Sequence, residues 1–126
     1  MAPAAKRLPA RRPKQSAARS AILVLTMLPE RAGAEAIARE LLSAHLAACI
    51  QIGTTVQSLY HWRGQIETAT EIPMAIKTRA GRYGRIEAVI RERHPYELPE
   101  IIAVPITYGL PAYVDWINTE TGAHAR

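Results

Sequence analysis

An imidazole, a phenol and two carboxylates stand close together in the stretch His94-Pro95-Tyr96-Glu97-Leu98-Pro99-Glu100. Imidazole with carboxylates at three-residue intervals suits Zn, Cu or Ni. The same residues also suit a structural role, with His94 closing a helix and Glu97 bonding the loop backbone. Pro95 pushes His94 out of the α region and removes a backbone donor, and Pro99 repeats the restriction. The segment is therefore a stiff polar junction, a kind of loop that often carries function. Cys49 is the chain's single cysteine. Its thiolate would be a soft ligand for Cu(I) or Zn, and its thiol would equally pack as a small apolar group. No CxxC and no nearby histidine completes a site in sequence. Tyr60, His61 and Trp62 either line a cleft between subunits or bury apolar area at a subunit contact. Lys77 and Arg79 suit an anion or solvent.

The elements that must position these groups follow from periodicity. Ala21 to Met27 is a continuous apolar run, as in a strand buried on both faces. From Arg31 to Ala47, Ile37, Leu41, Ala44 and Ala48 recur at helical spacing. From Cys49 to Trp62 the even positions Ile50, Ile52, Val56, Tyr60 and Trp62 alternate with polar ones, describing one long strand bent at Gly53. Arg63-Gly64-Gln65 reads as a hairpin turn, and Ile72, Met74 and Ile76 alternate on the returning strand. Pro73 places part of that strand at an edge or a bulge. Gly81 to Arg93 returns to helical spacing, with Tyr83, Ile86, Val89 and Ile90 on one side and Glu87 and Arg91 set for an i, i+4 pair. Ile101 to Tyr108 is a strand in which Pro105 is again an edge signal. Pro111 suits the first turn of a short helix whose Tyr113, Trp116 and Ile117 would pack down.

The order β-α-β-β-α-β is the split βαβ, or ferredoxin-like, pattern of an α+β fold. Right-handed crossovers put both helices on one face of an antiparallel sheet. The long hairpin, with Tyr60, His61 and Trp62 at its end, would project beyond that sheet. Such a projection is a liability unless another chain covers it, so oligomerisation is expected.

With 126 residues the chain is long enough for one domain with a real core. The lone cysteine excludes an intrachain disulfide and fits a reducing, cytoplasmic setting. The formal charge of +5 divides unevenly. Residues 1–20 hold six bases (Lys6, Arg7, Arg11, Arg12, Lys14 and Arg19) and no acid, which leaves ten bases against eleven acids in the rest. The excess lies in a tail rich in Ala, Pro, Arg and Lys, expected to be a disordered basic extension at 1–20 ahead of a folded domain at 21–126. Arg11 and Arg12 before an apolar run suggest a leader, but that run is short and ends at Pro29-Glu30-Arg31. Nothing reaches transmembrane length.

Four blocks in order, Leu46-Ala47-Ala48-Cys49-Ile50, Ser58-Leu59-Tyr60-His61-Trp62-Arg63-Gly64-Gln65-Ile66, Ile76-Lys77-Thr78 and His94-Pro95-Tyr96-Glu97-Leu98-Pro99-Glu100-Ile101, closely resemble the CutA divalent-cation tolerance proteins. The resemblance runs from about Ile22 to Ile117. It implies a ferredoxin-like subunit assembled as a trimer by edge-to-edge strand pairing through the long strand and hairpin with Tyr60 and Trp62. It further implies a cytoplasmic, non-enzymatic role in tolerance to copper and other divalent cations. Gln51 stands where the family often has Asn, and the basic tail lies outside the shared pattern. With that association, Cys49, His94 and Glu97 are the candidate metal ligands, sharing one site if a trimer brings Cys49 close.

Other functions are weighed against this one. The nitrogen-regulatory PII proteins are similar in subunit fold and trimeric assembly and sense small molecules or nucleotides in clefts between subunits. They would call for a long flexible loop and a glycine-rich phosphate cradle, whereas the hairpin here is tight. Sheet-borne RNA recognition needs aromatic residues on central strands, which carry aliphatics here, so no specific nucleic acid is expected. An acylphosphatase-like enzyme would need a glycine-rich anion loop, and none is visible.

Overall fold

Alternating apolar side chains build the sheet, and the computed structural model describes residues 17–122. Strand β1 is Ala21–Leu28, helix α1 Arg31–Ser43, β2 Cys49–Ile52, β3 Val56–Trp62 and β4 Gln65–Arg79. A 3-10 turn at Ala80–Arg82 leads into α2, Tyr83–Arg93, followed by β5, Ile101–Pro105, and α3, Pro111–Glu120. The antiparallel sheet runs β2-β4-β1-β5, and β3 pairs with the free half of β4. This is the expected α+β, ferredoxin-like order. Residues 17–20 form an exposed turn closed by Ser20 N–H donating to Ala17 O. The remainder of the expected disordered extension, and residues 123–126, lie outside the described residues.

One face of the sheet makes the core. Val24, Leu28, Met74 and Ile76 meet Ile37 and Leu41 of α1 and Ile86 and Ile90 of α2, all fully buried. Each such side chain contributes on the order of 1.5–3 kcal/mol through burial. The opposite face is only half covered, since Leu23, Leu25 and Met27 are of intermediate exposure. The expectation that β1 is buried on both faces is corrected accordingly, because α1 and α2 share one side. In α3 Ile117 is buried as expected, whereas Tyr113 and Trp116 are only partly covered, 37% and 40% exposed, with their ring centres 5.5 Å apart. The expected Glu87–Arg91 pair is replaced by a hydrogen bond from Tyr83 Oη to Glu87 Oε2, 3.1 Å.

Helix α1 ends sooner than the pattern suggested, at Ser43, and His45 just beyond its cap adopts a left-handed φ of 56°. His45 N–H donates to Leu42 O, and Leu46 N–H to Leu41 O, the two bonds of a Schellman closure. Leu46 then joins Leu41 in the core, and the chain enters β2.

The expected single strand from Cys49 to Trp62 is two strands, broken at Gly53–Thr55, and Pro73 is the cause. Pro73 lies in β4, a central strand, so its edge reading is corrected while its bulge reading fits. Its carbonyl accepts from Gly53 N–H at 2.9 Å, so its missing N–H faces the same neighbour, where the ladder lapses. A Cβ on Gly53 would stand 3.0 Å from Pro73 Cγ, which explains the glycine. Pro105 does sit on an edge strand, paired to Ile22 of β1 alone.

Beyond the sheet, β3 and the first half of β4 pair from Val56↔Glu71 to Trp62↔Gln65. Seven residue pairs make a ribbon roughly 24 Å long. Its turn is the two residues Arg63 and Gly64, with φ of 50° and 80°, the left-handed pair that a type I′ hairpin needs.

Candidate functional site

The junction at His94 arises as its prolines require. The N–H of His94 makes the last helical bond to Ile90 O, and Pro95 sets His94 at φ −75°, ψ 135°. That conformation turns the ring inward, where it is buried. Nδ1 accepts from Tyr96 N–H at 3.1 Å, which leaves Nε2 as the donor to Met27 O at 2.6 Å. Both ring nitrogens are thus engaged, and the neutral ring has no lone pair free for a metal ion.

Tyr96 carries the loop onto the hairpin. Its ring lies 4.7 Å from that of His94, and its hydroxyl donates to Glu71 Oε2 at 2.9 Å. Burial, the Glu71 hydrogen bond and the Glu71 charge push the phenol up to about 12. It therefore stays a donor at every physiological pH. Glu97 makes an exposed ion pair with Arg63 at 3.3 Å, and the Arg63 guanidinium stands 5.3 Å from the centre of the Trp62 ring. The loop is tied at Tyr96 to the root of the ribbon and at Glu97 to its turn. Between them lies a groove of about 920 Å³, lined by Tyr60, His61, Trp62, Glu71, Tyr96, Glu97 and neighbouring loop residues.

Cys49 is elsewhere. It is half-buried on β2, opposite Lys77, whereas His94 reaches Met27 opposite Pro73. Four residues of β4 separate these levels, roughly 13 Å of strand. One chain therefore does not bring Cys49, His94 and Glu97 together, and the three do not fit as a single-chain metal centre. Among the described residues no other group of three His, Cys, Asp or Glu is placed to hold a metal ion. Lys77 and Arg79, considered for an anion, are engaged within the chain. Lys77 Nζ donates to Gln51 Oε1 at 3.0 Å and lies 5.6 Å from the Tyr113 ring centre. Arg79 and Arg82 both donate through Nε to Thr121 O, closing the C-terminus of α3. Burial and the neighbouring Arg82 and Arg19 lower the Arg79 pKa.

Glu71 and Arg63 are the site residues that inspection of the sequence did not single out. The signal was slight: Glu71 is the last charge before the apolar alternation of Ile72, Met74 and Ile76, and it reads as a solvated strand end.

A split βαβ sheet with two uncovered edges, a long projecting hairpin and an aromatic-acidic groove at its root defines a ferredoxin-like subunit. The family model described as CutA1 divalent ion tolerance protein matches residues 22–120. The chain belongs to that family. It is 38% identical over 90 residues to the protein CutA homolog of Xenopus laevis, a match spanning 71% of this chain and 60% of that protein's length. The crystal structure of CutA from Xylella fastidiosa superposes with a TM-score of 0.79 at 41% identity, covering 82% of this chain and 99% of that one. The structure of the periplasmic divalent cation tolerance protein CutA from Archaeoglobus fulgidus gives 0.78 at 35% identity, covering 81% and 99%. Among the described residues no helix is long and apolar enough to cross a membrane.

Proposed function

We propose that the protein acts as a closed homotrimer in divalent-cation tolerance, responding to copper or another divalent ion in the cytoplasm without catalysing a reaction. The observation that carries this is the apolar surface along two unpaired sheet edges. Leu59 and Ile66 on the ribbon are 66% and 72% exposed, and Leu98, Ile102 and Val104 on and before β5 are also exposed. The β2–β3 edge and the β5 edge lie at opposite ends of the strand order. An interface joining one kind of edge to the other is heterologous and stays soluble only by closing into a ring. Closure at three is what the family resemblance suggests. Metal ligands would come from more than one subunit, since one chain separates Cys49 from the His94 loop. The non-enzymatic part of this reading follows the family resemblance; in the groove Tyr96 is paired with Glu71 and Glu97 with Arg63.

The test is native mass spectrometry before and after titration with Cu(II) and Zn(II). The expected result is a trimer that retains metal, reduced to a metal-free monomer by Ile66→Glu with unchanged far-UV circular dichroism. An Ile66→Glu variant that stays trimeric would remove the ribbon from the interface. The groove favours a second reading, a PII-like trimer sensing a small molecule. A wild-type trimer that stays bare of metal would select it.

A further inference from the structure

We propose that the groove between the ribbon and the His94–Glu100 loop binds a small organic cation, an ammonium or guanidinium group on an apolar body, through the Glu71 carboxylate and the surrounding aromatic side chains. The inference goes beyond the tolerance role and holds whether or not metal is retained; Leu59 and Leu98, which also line the groove, belong to the proposed subunit contact, so the ligand is assigned to the wall formed by Glu71, Tyr96 and Trp62. It begins with Glu71, which is only 8% exposed and lines the groove. Its Oε2 accepts from Tyr96, whereas Oε1 has no hydrogen-bond donor among the described residues. Oε1 is not sealed from solvent, so it stands available on the groove wall, and a cationic N–H is the strongest partner for a carboxylate oxygen.

The rim already displays this recognition. The Arg63 guanidinium sits 5.3 Å from the Trp62 ring centre and 3.3 Å from the Glu97 carboxylate, and both Trp62 and Glu97 line the groove. A ring face with an adjacent carboxylate is how proteins hold guanidinium and ammonium groups. Arg63 is 71% exposed at its side chain, so the contact is easily exchanged for a ligand's. Glu71, Glu97 and Glu100 line the groove without a lysine or arginine, which excludes an anion as the natural occupant. A hard divalent ion is also a poor fit, because it demands about six oxygen ligands and among the described residues no three His, Cys, Asp or Glu side chains are placed to hold one. The volume of about 920 Å³ suits an organic molecule rather than a bare ion.

The experiment titrates the full chain with agmatine, which carries both cationic heads, and with butyrate as the anionic counterpart. Calorimetry and tryptophan fluorescence report binding, and native mass spectrometry follows assembly. Agmatine is expected to bind and butyrate not to. Glu71→Gln keeps the shape and removes the charge, and should weaken agmatine at least about tenfold. Arg63→Ala alters only an exposed side chain, and should tighten agmatine about two- to fivefold by freeing Trp62 and Glu97. Cu(II) or Zn(II) retention, measured separately, should be the same in Glu71→Gln and wild type, so the metal and cation readings fail independently. The proposal is overturned if agmatine gives no signal at millimolar concentration with wild type and Arg63→Ala. Equal binding to Glu71→Gln, or equal binding of butyrate, overturns it too. Dissociation of the assembly by agmatine would show that a second copy's side chain fills the groove, which also overturns it.

Discussion

Replacing His94 by alanine separates a structural histidine from a metal ligand. The ring donates to Met27 O and accepts from Tyr96 N–H, and it is 8% exposed. Truncation leaves the Met27 carbonyl and the Tyr96 amide, both part-buried, without partners, at about 1 kcal/mol each. Loss of the ring contact with Tyr96, 4.7 Å between centres, adds about 0.5–1 kcal/mol, giving about 3 kcal/mol in all. That is a large part of the roughly 5–15 kcal/mol that holds an ordinary domain together. The assay is guanidinium unfolding at one fixed protein concentration, because assembly makes the midpoint concentration-dependent. Bound Cu(II) and Zn(II) are measured on the same samples. Glu97→Gln is the companion variant, since its exposed ion pair with Arg63 contributes less than about 1 kcal/mol. The expected outcome is a strongly destabilised His94→Ala that keeps whatever metal wild type keeps wherever it remains folded. Unchanged stability with metal lost would refute this reasoning and make the ring a ligand.

Three further expectations follow from single groups. Between about pH 10 and 12 the unfolded chain releases the Tyr96 proton while the folded chain keeps it, so this contribution to stability declines as pH rises. With the residue 36% exposed, solvent screening limits the effect to about 1 kcal/mol, and Tyr96→Phe should flatten the pH dependence of unfolding by that amount. An identical slope in the variant would disprove it. Thr26 Oγ1 is buried with no partner among the described residues, on the core face beside Val24 and Leu28. Thr26→Val should therefore raise stability by about 1 kcal/mol, and a lower thermal midpoint would contradict this. Gly64 has φ of 80° and open space where a Cβ would stand, so Gly64→Ala should lose about 1 kcal/mol through backbone strain alone. A neutral result in thermal unfolding would mean that the turn relaxes.

What could be read from the sequence is what depends on neighbours in the chain. A continuous apolar run located β1, alternation located β4, helical spacing located α1 and α2, and Arg63-Gly64 announced the turn because few residues tolerate two successive left-handed positions. Pro95 likewise fixed the end of α2 through its own sterics. The prolines also show where such reading stops. Pro105 and Pro73 carry the same missing donor, yet one lies on an edge and the other in a central strand opposite a break. Only the strand order decides between these, and strand order is a property of the whole fold.

The site depends on the same long-range facts. The partner of His94 is a carbonyl 67 residues away, and that of Tyr96 is a carboxylate 25 residues away. Neither distance has a local signature. The types assigned to metal binding were chemically apt, but register places Cys49 four residues of β4 away from the level of His94. Glu71 shows the reverse case. It looks solvated in sequence, and it is buried because the loop that starts at Pro95 folds against the root of the ribbon. The stiffness legible in the two prolines therefore does hold a site together, but the groups it assembles are Tyr96 and Glu71 rather than three metal ligands.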